Sequence, residues 1–153
     1  MHPVLKRSLI FIALMIAGLA LYVKWFDIRA DRYDRLAVPY LETAVPVITG
    51  WRIGALEPLL SPDARRDFEN PALREAYLGF SRLGGLQSMR KPQFLSAGSA
   101  TSQTLGDVEL VEYEVAVEFD SGAAKVKITL LVTGERHFVH HFSFSSAFLA
   151  EDS

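Results

Sequence analysis

The chain contains no cysteine. That excludes disulfides, thiolate nucleophiles, cysteine metal sites and a lipid-modified cysteine anchor. It has one asparagine, Asn70, and Pro71 follows it, so no N-glycosylation sequon exists. Charge is sparse and balanced: 16 Lys and Arg stand against 18 Asp and Glu, a net charge of −2 at pH 7. Nucleic-acid binders carry a basic footprint, so no nucleic-acid partner is expected. Serine-nucleophile motifs, phosphate loops and glycine-rich dinucleotide fingerprints are missing too. Gly79 and Gly84-Gly85 are spaced wrongly for a fingerprint. No catalytic residue and no cofactor is implied, and nothing in the chain names a reaction.

What the chain does have is a long apolar run, Ser8 to Phe26, and no residue from Ser8 to Val23 is charged. As a helix, the run to Phe26 is about 28 Å long at 1.5 Å per residue, close to a hydrocarbon core of about 30 Å. Lys24 can reach the headgroups while its stem stays apolar. Tyr22, Trp25 and Phe26 suit an interfacial aromatic belt. Lys6 and Arg7 place the short N-terminal side in the cytoplasm by the positive-inside rule. The expectation is a signal-anchor transmembrane helix over residues 1–26 in contact with the lipid bilayer through residues 8–26. A domain over residues 27–150 then lies outside, on the periplasmic side of a bacterial inner membrane. The alternative is a cleaved signal peptide, with small residues at Gly18-Leu19-Ala20. Against it, the apolar run continues through Leu21, Tyr22 and Val23 with no polar region before Ala20.

No Gly, Ser or Pro linker follows the anchor, so the helix is expected to leave the bilayer as a short stiff stalk. Tyr33, Leu36, Ala37, Tyr40, Leu41, Ala44, Val47, Ile48 and Trp51 then recur at three- and four-residue spacing, one face of an amphipathic helix. Pro39 and Pro46 each remove an N–H and crowd the preceding turn, which predicts kinks or a break. Trp51 to Leu60 reads as a further helical piece. Ser61-Pro62-Asp63 and Asn70-Pro71 each read as a polar N-cap followed by proline at the first helical position. Gly84-Gly85 closes the second of these helices.

Beyond Gly85 the period is two. Leu86–Met89 and Phe94–Leu105 are expected strands, the second turning at Gly106-Asp107. Val111, Tyr113, Val115, Val117 and Phe119 alternate with polar residues, and so do Val126, Ile128, Leu130 and Val132. Phe138, His140, Phe142 and Phe144 form a third series. Keeping apolar faces together sets an expected register. A Ser121-Gly122 loop pairs Val117 with Val126 and Tyr113 with Leu130, with Glu118 opposite Lys125. A three-residue loop, Gly134–Arg136, pairs Leu130 with His140. Tyr113, Leu130 and His140 then form one row. His137 and His141 share the other face about 13 Å apart at 3.3 Å per residue, too far for one metal ion.

Helices with Ser-Pro and Asn-Pro starts, the Leu83-Gly84-Gly85 stop and an antiparallel meander ending in a Phe-rich strand resemble the nuclear transport factor 2-like (cystatin-like) superfamily. The likeness covers about Asp31 to Phe148 and rests on pieces such as Phe80–Leu86 and Glu112-Tyr113. It implies an α+β fold, helices packed on a curved antiparallel sheet, cone-shaped with an apolar pocket. That superfamily holds isomerases and dehydratases as well as non-catalytic binding or assembly modules, and fold alone does not choose between them. Ketosteroid-isomerase-like members use a Tyr donor and a carboxylate base, and this chain has no acid on the matching apolar faces. The expected function is therefore a membrane-tethered, non-catalytic binding or assembly module beside an inner-membrane protein partner. The alternative is small-ligand binding or isomerase-like chemistry in the cone, lined by Tyr113, His140, Leu130, Trp51, Tyr77 and Phe80. The charged sheet face (Glu112, Glu114, Glu118, Lys125, Lys127, His141) is a solvated surface or a homodimer contact.

Overall fold

In the computed structural model, residues 3–151 are described, and the chain divides into two compact units, Met1–Arg35 and Leu36–Ser153. The fold is α+β, a long apolar N-terminal helix followed by short helices and a curved, unclosed sheet of five antiparallel strands. Helix α1 spans Pro3–Ile48, with Pro39 and Pro46 both inside it. The break expected at the prolines is absent. A proline disturbs only the bond to the residue four before it, and the flanking turns here are otherwise intact.

In the first unit, α1 presents apolar side chains to its surroundings on every side, with Leu14 66% and Leu21 70% exposed. A helix that is apolar all round and covered by nothing within its own unit suits a lipid solvent. In the second unit the same helix becomes amphipathic. Ala37, Val38, Leu41, Ala44, Val45 and Ile48 are buried, while Leu36 of the expected stripe is exposed.

Trp51 turns the chain at a φ of 56°, the one non-glycine residue at positive φ among those described. Helix α2 (Ile53–Leu56) and a 3-10 turn (Glu57–Leu59) follow, then α3 (Pro62–Asp67) and α4 (Pro71–Gly79). Both caps form as their residue types dictate. Ser61 Oγ accepts from the Ala64 N–H at 3.2 Å, and Asn70 Oδ1 from the Ala72 N–H at 3.0 Å.

The strands are β1 (Leu86–Met89), β2 (Gln93–Ser102), β3 (Gly106–Phe119), β4 (Gly122–Thr133) and β5 (Arg136–Ser146), with a last short helix α5 (Ala147–Glu151). Long β3 carries β1 and β2 in succession along one edge and β4 along the other, and β5 lies outside β4. β2 stops at Ser102, short of the expected Leu105, and the turn is Gln103–Leu105.

Register departs from expectation in two places. At the β3–β4 hairpin the loop is Asp120-Ser121, and Phe119 pairs with Gly122, so Val117 faces Ala124 and Tyr113 faces Ile128. The shift is two residues, which leaves every side chain on its expected face. Its cause lies outside the hairpin. The Asp120 N–H donates to Gly85 O at 3.0 Å, the Ser121 N–H donates to Leu83 O at 3.1 Å, and Asp120 Oδ2 accepts from the Gly85 N–H at 2.7 Å. Asp120 is thus committed to the corner before β1 and cannot act as a strand pair. The expected Glu118–Lys125 opposition is replaced by Lys125–Glu114 (3.2 Å) and Lys127–Glu112 (3.5 Å) ion pairs.

At the β4–β5 hairpin the loop has two residues, Gly134-Glu135, with Thr133 opposite Arg136. A two-residue loop sets the wrong parity for the Phe-rich half of β5. A β-bulge at His140 restores it, so Leu130 faces Val139 while Ile128 faces Phe142 as expected. The bulge removes His140 from the expected row with Tyr113 and Leu130. It also separates His137, opposite Val132, from His141, opposite Thr129, onto different faces.

Candidate functional site

The side chains nominated from the sequence fall into three places. Tyr113 (0% exposed) and Leu130 are core residues, and Tyr113 meets Phe94 edge-on at 5.9 Å. Trp51 sits in an aromatic cluster with Tyr77 (5.8 Å), Phe119 (5.9 Å) and Phe144 (5.4 Å), and Phe80 meets Phe144 at 4.9 Å with the ring planes tilted by 49°. The Trp51 indole N–H donates to Gly84 O at 2.9 Å, and the Tyr77 hydroxyl donates to Ile48 O at 2.7 Å. These bonds hold the cluster over the helix–sheet contact as packing, with polar ends satisfied on backbone carbonyls. Burial pushes the Tyr77 phenol up, opposed by backbone bonding from Trp51 and Arg52.

His140 is the third place, and the bulge explains it. Ser61, wholly buried, donates its backbone N–H to Val139 O at 2.9 Å, and Leu60 bridges Val139 in parallel. Ser61 Oγ lies 2.9 Å from His140 Nδ1. That oxygen also accepts from the Ala64 N–H. The Ser61 hydroxyl thus holds the His140 ring by its Nδ1 edge. Ser61 is wholly buried and both caps α3 and tethers the His140 ring.

Two clefts meet at His140. One, about 140 Å³, is mainly apolar and runs between α3, α4 and β5, with Phe68, Tyr77, Phe80 and Phe142 among its walls. The other, about 350 Å³, lies where α3 reaches both β5 and the far end of β2. Asp63 accepts from Ser102 Oγ at 2.9 Å there, and Arg66 donates to Gln103 at 3.4 Å. Its floor is Val108, Leu110 and Leu131. These belong to the face that strict alternation assigns to solvent, yet Val108 and Leu131 are buried.

Of the six nominated residues, Tyr77, Phe80 and His140 share the smaller cleft, and Tyr113, Leu130 and Trp51 line neither. Sequence reasoning read Ser61 as a helix cap and missed its bond to a histidine 79 residues away. No local pattern signals that contact. Asp63, Arg66 and Ser102 were missed for the same reason.

His137 packs its ring 5.6 Å from Tyr40, and burial lowers its pKa while the Glu135 carbonyl partly restores it. Among the described residues no group of three or more His, Asp or Glu side chains is placed to hold a metal ion. Comparison of the chain with protein-family models, with curated proteins and with solved structures gives no match.

Proposed function

We propose that this protein is a membrane-tethered, non-catalytic binding or assembly module of a bacterial inner membrane. In this reading the uncleaved helix anchors it, the N-terminus is cytoplasmic and the Leu36–Ser153 unit is periplasmic. The observation that carries the proposal is the surface of α1, whose most apolar window has a mean hydropathy of 2.2 with none of it buried. Such a surface is stable only in lipid or against another apolar partner. Lys6 and Arg7 support the orientation. The resemblance to the nuclear transport factor 2-like superfamily supports the module reading through its architecture, helices on a curved sheet. A homodimer through the charged sheet face has less support, because Glu112–Lys127 and Glu114–Lys125 pair within one copy.

Two experiments test this. A reporter active only outside the cytoplasm, fused after Ser153, is expected to be active, and a cytoplasmic C-terminus overturns the topology. Purification of the full chain in mild detergent is expected to bring a stoichiometric inner-membrane protein with it. Recovery without any other protein overturns the assembly role.

The second reading, binding of a small apolar ligand, is favoured by one observation, the meeting of Tyr77, Phe80 and the His140 ring at the smaller cleft. A cavity of about 150 Å³ admits a benzene-sized molecule. Phenol, whose hydroxyl can both donate to and accept from an imidazole nitrogen, is the probe. Millimolar phenol is expected to shift the His140 ring resonances, and an unchanged spectrum sinks this reading.

A further inference from the structure

The larger cleft beside α3 carries charges that do not neutralise one another. It holds about 350 Å³, within the range of small-molecule sites. Asp63, Arg66 and Asp67 line it, and their i, i+3, i+4 spacing sets them on one face of α3, with Cβ atoms about 5–6 Å apart. That spacing allows an Asp–Arg ion pair, yet among the described residues none joins these three. Asp63 instead accepts from Ser102 with one oxygen, and Arg66 reaches Gln103 through Nη1 alone. The Asp67 carboxylate has no hydrogen bond or ion pair among the described residues. The floor beneath is apolar, with Val108 and Leu131 buried and Leu110 half-buried. In such a cleft an anion faces two carboxylates and a simple cation faces a guanidinium. A neutral apolar molecule leaves all three charges unanswered, whereas a zwitterion answers both signs.

We propose that this cleft binds a free α-amino acid with an apolar side chain. The ammonium group lies between Asp67 and the second oxygen of Asp63. The carboxylate accepts from the Arg66 donors that Gln103 does not engage, in charge-assisted bonds. One carbon separates the two poles of an α-amino acid, which suits opposite charges standing side by side on one helix face. The side chain rests on Val108, Leu110 and Leu131. Benzene fits a cavity of about 150 Å³, so 350 Å³ has room for a whole leucine or phenylalanine. Arg66 and this apolar floor belong to the larger cleft alone, so a failed phenol test at the smaller one leaves this site untouched.

The test is equilibrium dialysis of labelled L-leucine and L-phenylalanine against the full chain in mild detergent. Saturable binding of one molecule per chain is expected for at least one of them. Isopentylamine and 4-methylpentanoate keep the apolar stem of leucine and each lose one pole. As competitors each is expected to bind at least about tenfold more weakly than the amino acid, because each loses a hydrogen-bonded charge. Glycine, which lacks the side chain, is expected to compete weakly too. Arg66 is exposed, so Arg66→Gln should retain the fold, checked by circular dichroism. It is expected to weaken the amino acid at least about tenfold without weakening isopentylamine, a split that a merely structural role would not produce. Absence of binding at millimolar leucine and phenylalanine overturns the proposal. Equal binding by either one-pole analogue overturns it as well, since one of the charged walls then has no role. Full affinity in Arg66→Gln also overturns it, because the site then lies elsewhere.

Discussion

Replacing Gly84 by alanine tests how closely the corner before β1 is packed against Asp120. Gly84 ends the 3-10 turn Phe80–Leu83 with φ 85° and ψ −164°. That region is essentially glycine-only, and a side chain held there costs about 1–3 kcal/mol. A Cβ at this position would lie 2.6 Å from Asp120 Cβ and 2.7 Å from its Oδ2. The carboxylate has no free retreat. It accepts from the Gly85 N–H at 2.7 Å and also from the Gln87 side-chain amide. These bonds are solvent-exposed, so yielding them adds only about 1 kcal/mol. The expected loss is therefore about 2–4 kcal/mol. At about 4 °C per kcal/mol for a domain of this size, the midpoint falls by roughly 8–16 °C. The assay is thermal and urea unfolding of the full chain in mild detergent, followed by circular dichroism. Gly98→Ala, which meets nothing within 4 Å at a φ any residue adopts, is the control and is expected to change stability by less than about 1 kcal/mol. Asp120→Ala combined with Gly84→Ala should lose less than the sum of the two, because one change removes the atoms the other meets. A loss under about 1 kcal/mol for Gly84→Ala, or strict additivity, refutes the reasoning.

Tyr77→Phe keeps the ring packing and deletes the donor to Ile48 O, leaving that carbonyl buried without the bond, so urea titration should show a loss of about 1–3 kcal/mol. Ser61→Ala removes both the α3 cap and the tether of His140. It should cost about 1–2 kcal/mol, while His140→Ala should cost less, a ranking the same titration checks. Tyr40 lies beyond the apolar run, and its hydroxyl is buried without a hydrogen-bond partner among the described residues; desolvation pushes its pKa up to about 12. The folded state then holds this proton where the unfolded state, near 10, has lost it. The contribution is complete below pH 10 and is lost as pH rises through about 12. Stability measured across that window should fall in the parent and fall less in Tyr40→Phe, which at pH 7 should be at least as stable as the parent.

The local signals were legible because their causes are local. The Ser61 and Asn70 caps, the Gly84 stop and the alternation of Val111 to Phe119 each depend on a residue and its near neighbours. The apolar run to Phe26 is legible for the same reason, since a bilayer reads composition. Strand partners are a different matter. A two-residue slip at Asp120 keeps every face, so hydrophobic pattern cannot detect it. A bulge and an odd loop solve the same parity problem, so pattern cannot choose between them either. Of the six residues nominated for a site, Tyr77, Phe80 and His140 share a cleft. Trp51 is spent on packing and on its bond to Gly84, and Tyr113 and Leu130 are core.

By itself, the amino-acid order determined that this chain carries a lipid-compatible helix, capped short helices and an antiparallel meander with one apolar face. Those properties follow from periodicity, caps and turn residues, which act over a few positions. Only the tertiary structure decided that Asp120 belongs to a corner 35 residues away and that Ser61 holds His140. Each of these is a contact between segments whose separate sequences are satisfied in several ways, and only packing them together selects one.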